Sequence, residues 1–196
     1  MDDETRAAAQ RSLFHEARTH NGWLNDSIDA ATLRTLYELA SLSPTAMNCQ
    51  PMRLVFLTSA SAKARLVPAL SPGNLEKTLA APVTAIVAYD IRFYEWLRKT
   101  WHNPAARDTF AADEALTSIT AIRNSSIQAG FLIVAARALG LDCGPMSGFD
   151  SVKVDAEFFS DSNWRSNFLC NLGRGDPSRL LPRQPRLEFD EACQLL

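Results

Sequence analysis

Residues 113–139 read DEALTSITAIRNSSIQAGFLIVAARAL, a long run without proline. The pattern predicts one helix from Asp113 to about Leu139, with Gly140 as its C-cap. Its first half is amphipathic through Leu116, Ile119 and Ile127. Its second half, AGFLIVAARALG, is apolar on nearly every side except at Arg137. A helix apolar all round is buried, either at a domain centre or in an oligomer interface.

Working outward, three short apolar runs read as strands: RLVFLT (53–58), VTAIVAY (83–89) and NFLCNLG (167–173). Helical patterns separate them. One runs from Ala7 to Arg18, with Leu13, Phe14 and Ala17 on one face. A second, capped by Asp26, Ser27 or Asp29, buries Leu33, Leu36, Tyr37 and Ala40. SAKARLVPAL (61–70) is a helix ended or kinked by Pro68, and NLEKTLAAP (74–82) and VKVDAEFF (152–159) are shorter ones. The aromatic stretch 90–111 reads as an irregular, lid-like excursion. The tail after Gly175 holds too little regular structure to fold on itself and is expected to wrap a partner subunit. Strands separated by helices, with no repeat, give a single α+β or α/β domain over 1–196.

Composition excludes several classes. With 196 residues, 46% hydrophobic and 21% charged, the chain is an ordinary globular sequence. A net charge of −2 and the lack of a basic run argue against nucleic acid and against a membrane surface. The acidic start MDDETRAAAQ is not a signal peptide, and no apolar run approaches the ~20 residues of a membrane span. Cys49, Cys143, Cys170 and Cys193 are scattered without a Cys-x-x-Cys pair, so reduced thiols and a cytoplasmic location are expected. His15, His20 and His102 stand at unrelated positions, so no metal site is expected. Neither a dinucleotide fingerprint, a P-loop nor a nucleophile elbow occurs.

What remains is a series of short polar patches between apolar elements. ARTHNGW (17–23) places Arg18 and His20 at a helix end, and LSPTAMNCQP (42–51) supplies hydroxyl and amide groups at a helix-to-strand turn. GNLEK (73–77) puts Asn74 and Lys77 on one face of a helical turn. GPMSGFD (144–150) offers glycines that let backbone approach a planar ligand, and LPRQPRL (181–187) carries Arg183 and Arg186 on an extended segment. Each alone reads equally well as a turn or a solvated face; the order of all five does not.

In that order and spacing, together with RNSSIQAGFLIVAARALGLDCGPMSGFD and PRLEFDEAC, the chain resembles the FMN-dependent nitroreductase family. Within it, the likeness is to the malonic semialdehyde reductase branch of pyrimidine degradation. The resemblance implies an α+β fold: a central mixed or antiparallel sheet flanked by helices, the long helix at a dimer interface, and an extended C-terminal tail. It implies a homodimer with FMN between the subunits and NADPH or NADH as co-substrate. Arg18, Thr19 and His20 match the first phosphate-binding patch, and Arg183 with Arg186 the second. Pro44, Thr45, Ala46 and Asn48 match a loop laid on the flavin from the partner subunit. Asn74 and Lys77 match the pair on the pyrimidine edge, and Pro145, Met146, Ser147 and Gly148 the backbone facing flavin N5. The chemistry would lie on N5, with no catalytic side chain and no metal. Two departures stand out: Gly22 where relatives carry a third basic residue, and His20 where they carry serine.

This residue choice is chemically coherent. Guanidinium groups clamp a phosphate dianion bidentately, and an ammonium stabilises the charge that reduction places at the pyrimidine edge. The activity implied is ping-pong hydride transfer from NAD(P)H to malonic semialdehyde, giving 3-hydroxypropanoate, whose carboxylate would meet Arg123 or Arg92. Alternatives are a general nitroaromatic or quinone reductase, a flavin carrier or sensor without turnover, and a purely structural oligomerising domain.

Overall fold

A computed structural model describes residues 2–196. The helix predicted at 113–139 is the longest element, α7 (Glu114–Ala138), and Asp113 caps it by accepting from Leu116 N at 2.9 Å. Gly140 follows it at φ +73°, the left-handed position a helix C-cap requires. The remaining helices are α1 (Asp3–Gln10), α2 (Ala30–Ser41), α3 (Ala60–Leu66), α4 (Pro72–Ala80), α5 (Leu97–Thr100), α6 (Ala106–Ala112), α8 (Ser151–Phe158) and α9 (Phe189–Ala192).

Four strands, β1 (Met52–Leu57), β2 (Val83–Asp90), β3 (Asp142–Met146) and β4 (Trp164–Gly173), form one antiparallel sheet in the order β1-β2-β4-β3. The fold is α+β. Strand β3 overlaps GPMSGFD, a segment whose glycines suggest a turn rather than a strand. It is an edge strand, where proline is tolerated since one side of its backbone needs no partner. The only parallel pairing among the described residues is an isolated bridge, Thr19 to Cys143, which lays the ARTHNGW segment along that edge.

The two sheet faces bury alternate residues of β2. Val83, Ala85 and Val87 pack with Leu33, Leu36 and Ala40 of α2 and with Ala129, Leu132 and Ala136 of α7. Ile86 and Ala88 pack with Leu66 of α3 and Val154 of α8 on the opposite face. Stretch 90–111, expected to be irregular, is ordered into a 3-10 turn, α5 and most of α6. Phe93, Leu97 and Phe110 bury a third cluster against Ala121 of α7, with Phe93 and Phe110 edge to face at 5.0 Å. Arg107 clamps Glu95 through two bonds of 3.0 and 2.9 Å, holding that carboxylate down at about 2.

The N-terminal helix also differs from expectation, ending at Gln10 and giving way to a π-helical turn over Arg11–His15.

Leu116, Ile119 and Ile127, the apolar stripe of the first half of α7, are exposed, as are Ile122 and Phe131. Tyr37 of α2 is likewise 50% exposed. The inward face of α7 is polar in its first half, with Thr117, Thr120, Asn124, Ser125 and Gln128 buried beside Ala121, and apolar in its second, with Ala129, Leu132, Ala135 and Ala136. The bonds they make go to main-chain groups. Asn124 Oδ1 accepts from Ala46 N at 2.8 Å, Gln128 Oε1 from Met52 N at 2.9 Å, and Ser125 Oγ donates to Ala88 O at 3.1 Å. By length and composition α7 could cross a membrane, but half of its most apolar window is buried against the rest of the chain. Replacing Asn124 with Ala should leave Ala46 N unpaired and lower unfolding stability by about 1–3 kcal/mol. Urea denaturation checks this, and an unchanged midpoint would deny the bond any structural role.

Candidate functional site

Three of the five polar patches converge at the β3 edge. His20 N donates to Cys143 O at 3.0 Å, continuing the Thr19 bridge and fixing residues 18–21 beside β3. Helix α4 begins with Pro72 at its first turn, and Ser71 N donates to Gly148 O at 3.0 Å. Asn74 Nδ2 donates to the same carbonyl at 2.7 Å, so α4 and the 144–150 segment are stitched together. Lys77 Nζ reaches Asn21 Oδ1 at 3.2 Å, while its main-chain carbonyl accepts from Trp23 Nε1 at 3.0 Å and Asn171 Nδ2 at 3.2 Å. Partial burial pulls the Lys77 ammonium below the usual lysine range. The C-terminal end of α4 is tied by Lys63, whose Nζ donates to the carbonyls of Leu79 and Ala81; burial lowers its pKa as well.

Beside this junction lies a cavity of about 350 Å³, lined by Ala17, Arg18, Thr19, Asn21, Arg137, Leu181, Pro182, Arg183, Gln184 and Arg186. Arg183 Nη2 donates to His15 O at 2.7 Å and Ala17 O at 3.0 Å, and Arg18 reaches back to Leu181 O, so the two segments close on each other. Arg186 is held locally by the carbonyls of Gln184 and Pro185. Four arginines thus line a cavity that contains no carboxylate, and among the described residues none of the four joins an ion pair. Such a set is built for an anion with several acceptor oxygens.

His20 departs from its expected place. Its ring is buried, Nε2 lies 3.4 Å from Asp142 Oδ1, and Nδ1 has no partner. A Cβ at Gly175 would come within 1.8 Å of Nδ1, so only glycine lets the chain pass there. The imidazole therefore locks the 18–21 segment to the end of β3 rather than facing the cavity. Met146 is also turned inward, with Thr78 Oγ1 3.6 Å from its sulfur.

The loop Pro44, Thr45, Ala46 and Asn48 is not brought to this junction. It lies by α7, under Asn124, with Met47, Asn48 and Gln50 at φ +50°, +49° and +41°. Non-glycine residues pay strain in that region, and here side chains enforce it. Gln50 N donates to Thr45 Oγ1 at 3.2 Å, Gln50 Nε2 to Asn48 Oδ1 at 2.9 Å, and Asn48 Nδ2 to Thr100 O at 2.8 Å. The loop borders a separate cavity of about 690 Å³ with Tyr37, Arg53, Trp96 and Trp164. Cys49, on its wall, is pushed up to about 11 by burial and is no nucleophile at neutral pH. Arg123 projects from α7 next to Asn124, exposed and in no ion pair or side-chain hydrogen bond among the described residues, whereas Arg92 is engaged by Glu95.

Arg137 was missed as a site residue. The available signal was its standing as the lone charge in the apolar half of α7. Asn21 sits inside a quoted motif but was passed over because its neighbours carry the charge. A Cβ at Gly148 would fall 2.6 Å from Asn74 Nδ2. Gly148→Ala should therefore push Asn74 off its carbonyl and cost about 1–3 kcal/mol by overpacking. A crystal structure of the variant with Asn74 unmoved would refute this.

The sequence model of the nitroreductase family matches residues 16–174. A relative from Ralstonia nicotianae, provisionally named NADH dehydrogenase/NAD(P)H nitroreductase, is 56% identical over 94% of this chain and 94% of its own. A relative of the same provisional name from Stutzerimonas stutzeri is 56% identical over 95% of each chain. Among solved structures, a nitroreductase from Bacillus subtilis superposes with a TM-score of 0.83 at 22% identity, covering 97% of this chain and 100% of that one. Another, from Exiguobacterium sibiricum and in complex with FMN, superposes at 0.80 and 18% identity, over 94% and 96% of the two chains. These matches account for the sheet order and the long helix alike: the chain belongs to the nitroreductase family.

Proposed function

We propose that this chain is an NAD(P)H-dependent FMN oxidoreductase that works as a homodimer. The observation that carries the reading is the cavity of four arginines with no carboxylate, one of whose lining residues, Asn21, accepts from Lys77. Its donor set suits a phosphate dianion, and a lysine with a carboxamide one helical turn away suits the polar edge of a flavin. Arg18, Thr19, Arg183 and Arg186 would hold the phosphate, Asn74 and Lys77 the pyrimidine edge, and Pro145–Gly148 the ring through backbone, with His20 bracing from behind. When bound, FMN supplies reversible two-electron chemistry linking a nicotinamide donor to a second acceptor. The chain then needs no nucleophile, in keeping with a raised Cys49 pKa and with Met146 turned away.

Dimerisation is supported by two features. Ile119, Ile122, Ile127 and Phe131 are uncovered on α7, and residues 181–196 run exposed at the surface. A second copy laid on α7 would also bring the 44–48 loop, which rides on that helix through Asn124, toward a flavin held by the first. The double variant Ile119→Glu/Ile127→Glu should keep its circular dichroism yet elute as a monomer that no longer retains FMN. A variant that remains dimeric would remove α7 from the interface.

As acceptor we propose malonic semialdehyde, reduced to 3-hydroxypropanoate at the expense of one NAD(P)H and one proton. Arg123 is the candidate for its carboxylate, being exposed, unpaired and adjacent to the residue that fixes the loop. The provisional nitroreductase names of relatives 52–56% identical favour a second reading, in which nitroaromatics or quinones are the acceptors. The purified protein distinguishes them in one cuvette. Flavin absorbance should bleach under anaerobic NADPH and return with malonic semialdehyde. Return only with a quinone or nitroaromatic would establish the second reading, and a colourless protein that takes up no FMN would end both.

A further inference from the structure

Resting on the FMN reading, we infer that Asn21 is a positioning residue. Its carboxamide oxygen holds the Lys77 ammonium at the polar edge of the flavin without cancelling its charge, and so raises the reduction potential of the bound flavin.

The backbone of Lys77 is pinned, because its carbonyl accepts from Trp23 Nε1 at 3.0 Å and from Asn171 Nδ2 at 3.2 Å. The ammonium at the end of a flexible four-carbon stem is not fixed by that alone. Asn21 Oδ1, at 3.2 Å, is its one hydrogen-bond acceptor among the described residues, and Lys77 joins no ion pair there. Asn21 is placed in turn by main chain: the Thr19 bridge to Cys143 and the bond from His20 N to Cys143 O lay residues 18–21 along β3.

The type of acceptor matters as much as its place. Asn21 lines the cavity that holds Arg18, Arg137, Arg183 and Arg186, so the ammonium it grips stands close to other cations. Partial burial already loosens the hold of Lys77 on its proton. A carboxylate in place of Asn21 would satisfy the ammonium and leave no net charge for a ligand. A carboxamide accepts the hydrogen bond and stays neutral. The full positive charge is then left to meet the negative charge that two-electron reduction brings to the flavin. A simple brace between the 18–21 segment and α4 would be indifferent to the oxidation state of the ligand.

The test measures the reduction potential of the FMN-loaded protein against a reference dye, in wild type, Asn21→Leu, Lys77→Met and the double variant. Asn21→Leu keeps the bulk of the side chain and removes the acceptor. It should lower the ratio of reduced-flavin to oxidised-flavin affinity about 10-fold, a fall of about 30 mV for a two-electron couple. In Lys77→Met protein the same substitution should shift nothing, because Asn21 acts through the ammonium. Should the leucine variant not fold, Asn21→Ala replaces it with the same expectation. A potential unmoved by the substitution would make Asn21 a brace, and an equal shift in both backgrounds would put it on the flavin itself; either overturns the inference. Wild-type protein that binds no FMN, or a potential unmoved by Lys77→Met, would instead overturn the reading on which it rests.

Discussion

Three side chains on the inward face of α7 hold this structure in register. Asn124, Ser125 and Gln128 bond main-chain groups of Ala46, Ala88 and Met52, which belong to the 42–51 loop, to β2 and to the start of β1. A buried main-chain group without a partner costs about as much as several good apolar contacts, so these bonds dictate which way the helix is rotated. Once that rotation is set, Leu116, Ile119, Ile122, Ile127 and Phe131 have nowhere to go but outward. Full burial of such side chains is worth about 1.5–3 kcal/mol each, a gain one chain alone leaves largely unrealised.

That trade explains what could and could not be read from the chain. The helix itself was plain from its length and lack of proline, and β1, β2 and β4 from short apolar runs of the right size. The orientation of α7 was not, because a period of 3.6 separates two faces without saying which is inside. In its first half polar side chains turn inward because they bond main-chain groups of the 42–51 loop, β1 and β2. Strand β3 escaped for a different reason: Gly144 and Pro145 are poor strand residues, tolerated only at an edge that the 18–21 segment then covers.

The candidate site was legible in proportion to how far its residues act through charge. Arg18, Arg183 and Arg186 were picked out as lone cations near helix ends and tails, and they do line one cavity. Asn74 and Lys77 were found by their spacing, and both now bond the neighbouring patches. His20 was assigned by position in a motif, and its side chain points into the protein instead, while Met146, assigned through its backbone, also buries its side chain. Position in a motif fixes the course of the backbone but not where a side chain finds its best packing. Arg137 shows the converse, a charge whose place in the cavity only the folding of α7 against residue 13 reveals.

Within one chain, the 44–48 loop and the arginine cavity lie on separate walls and share no lining residue. If each site in the proposed dimer draws its loop from one chain and its cavity from the other, the two functions are genetically separable. A chain damaged in the loop and a chain damaged in the cavity, each inactive as a homodimer, would form a mixed dimer in which both defects fall on one site and leave the other intact. Two defective alleles expressed together would then restore activity that neither supplies alone, and a single faulty chain could never disable more than its own two halves.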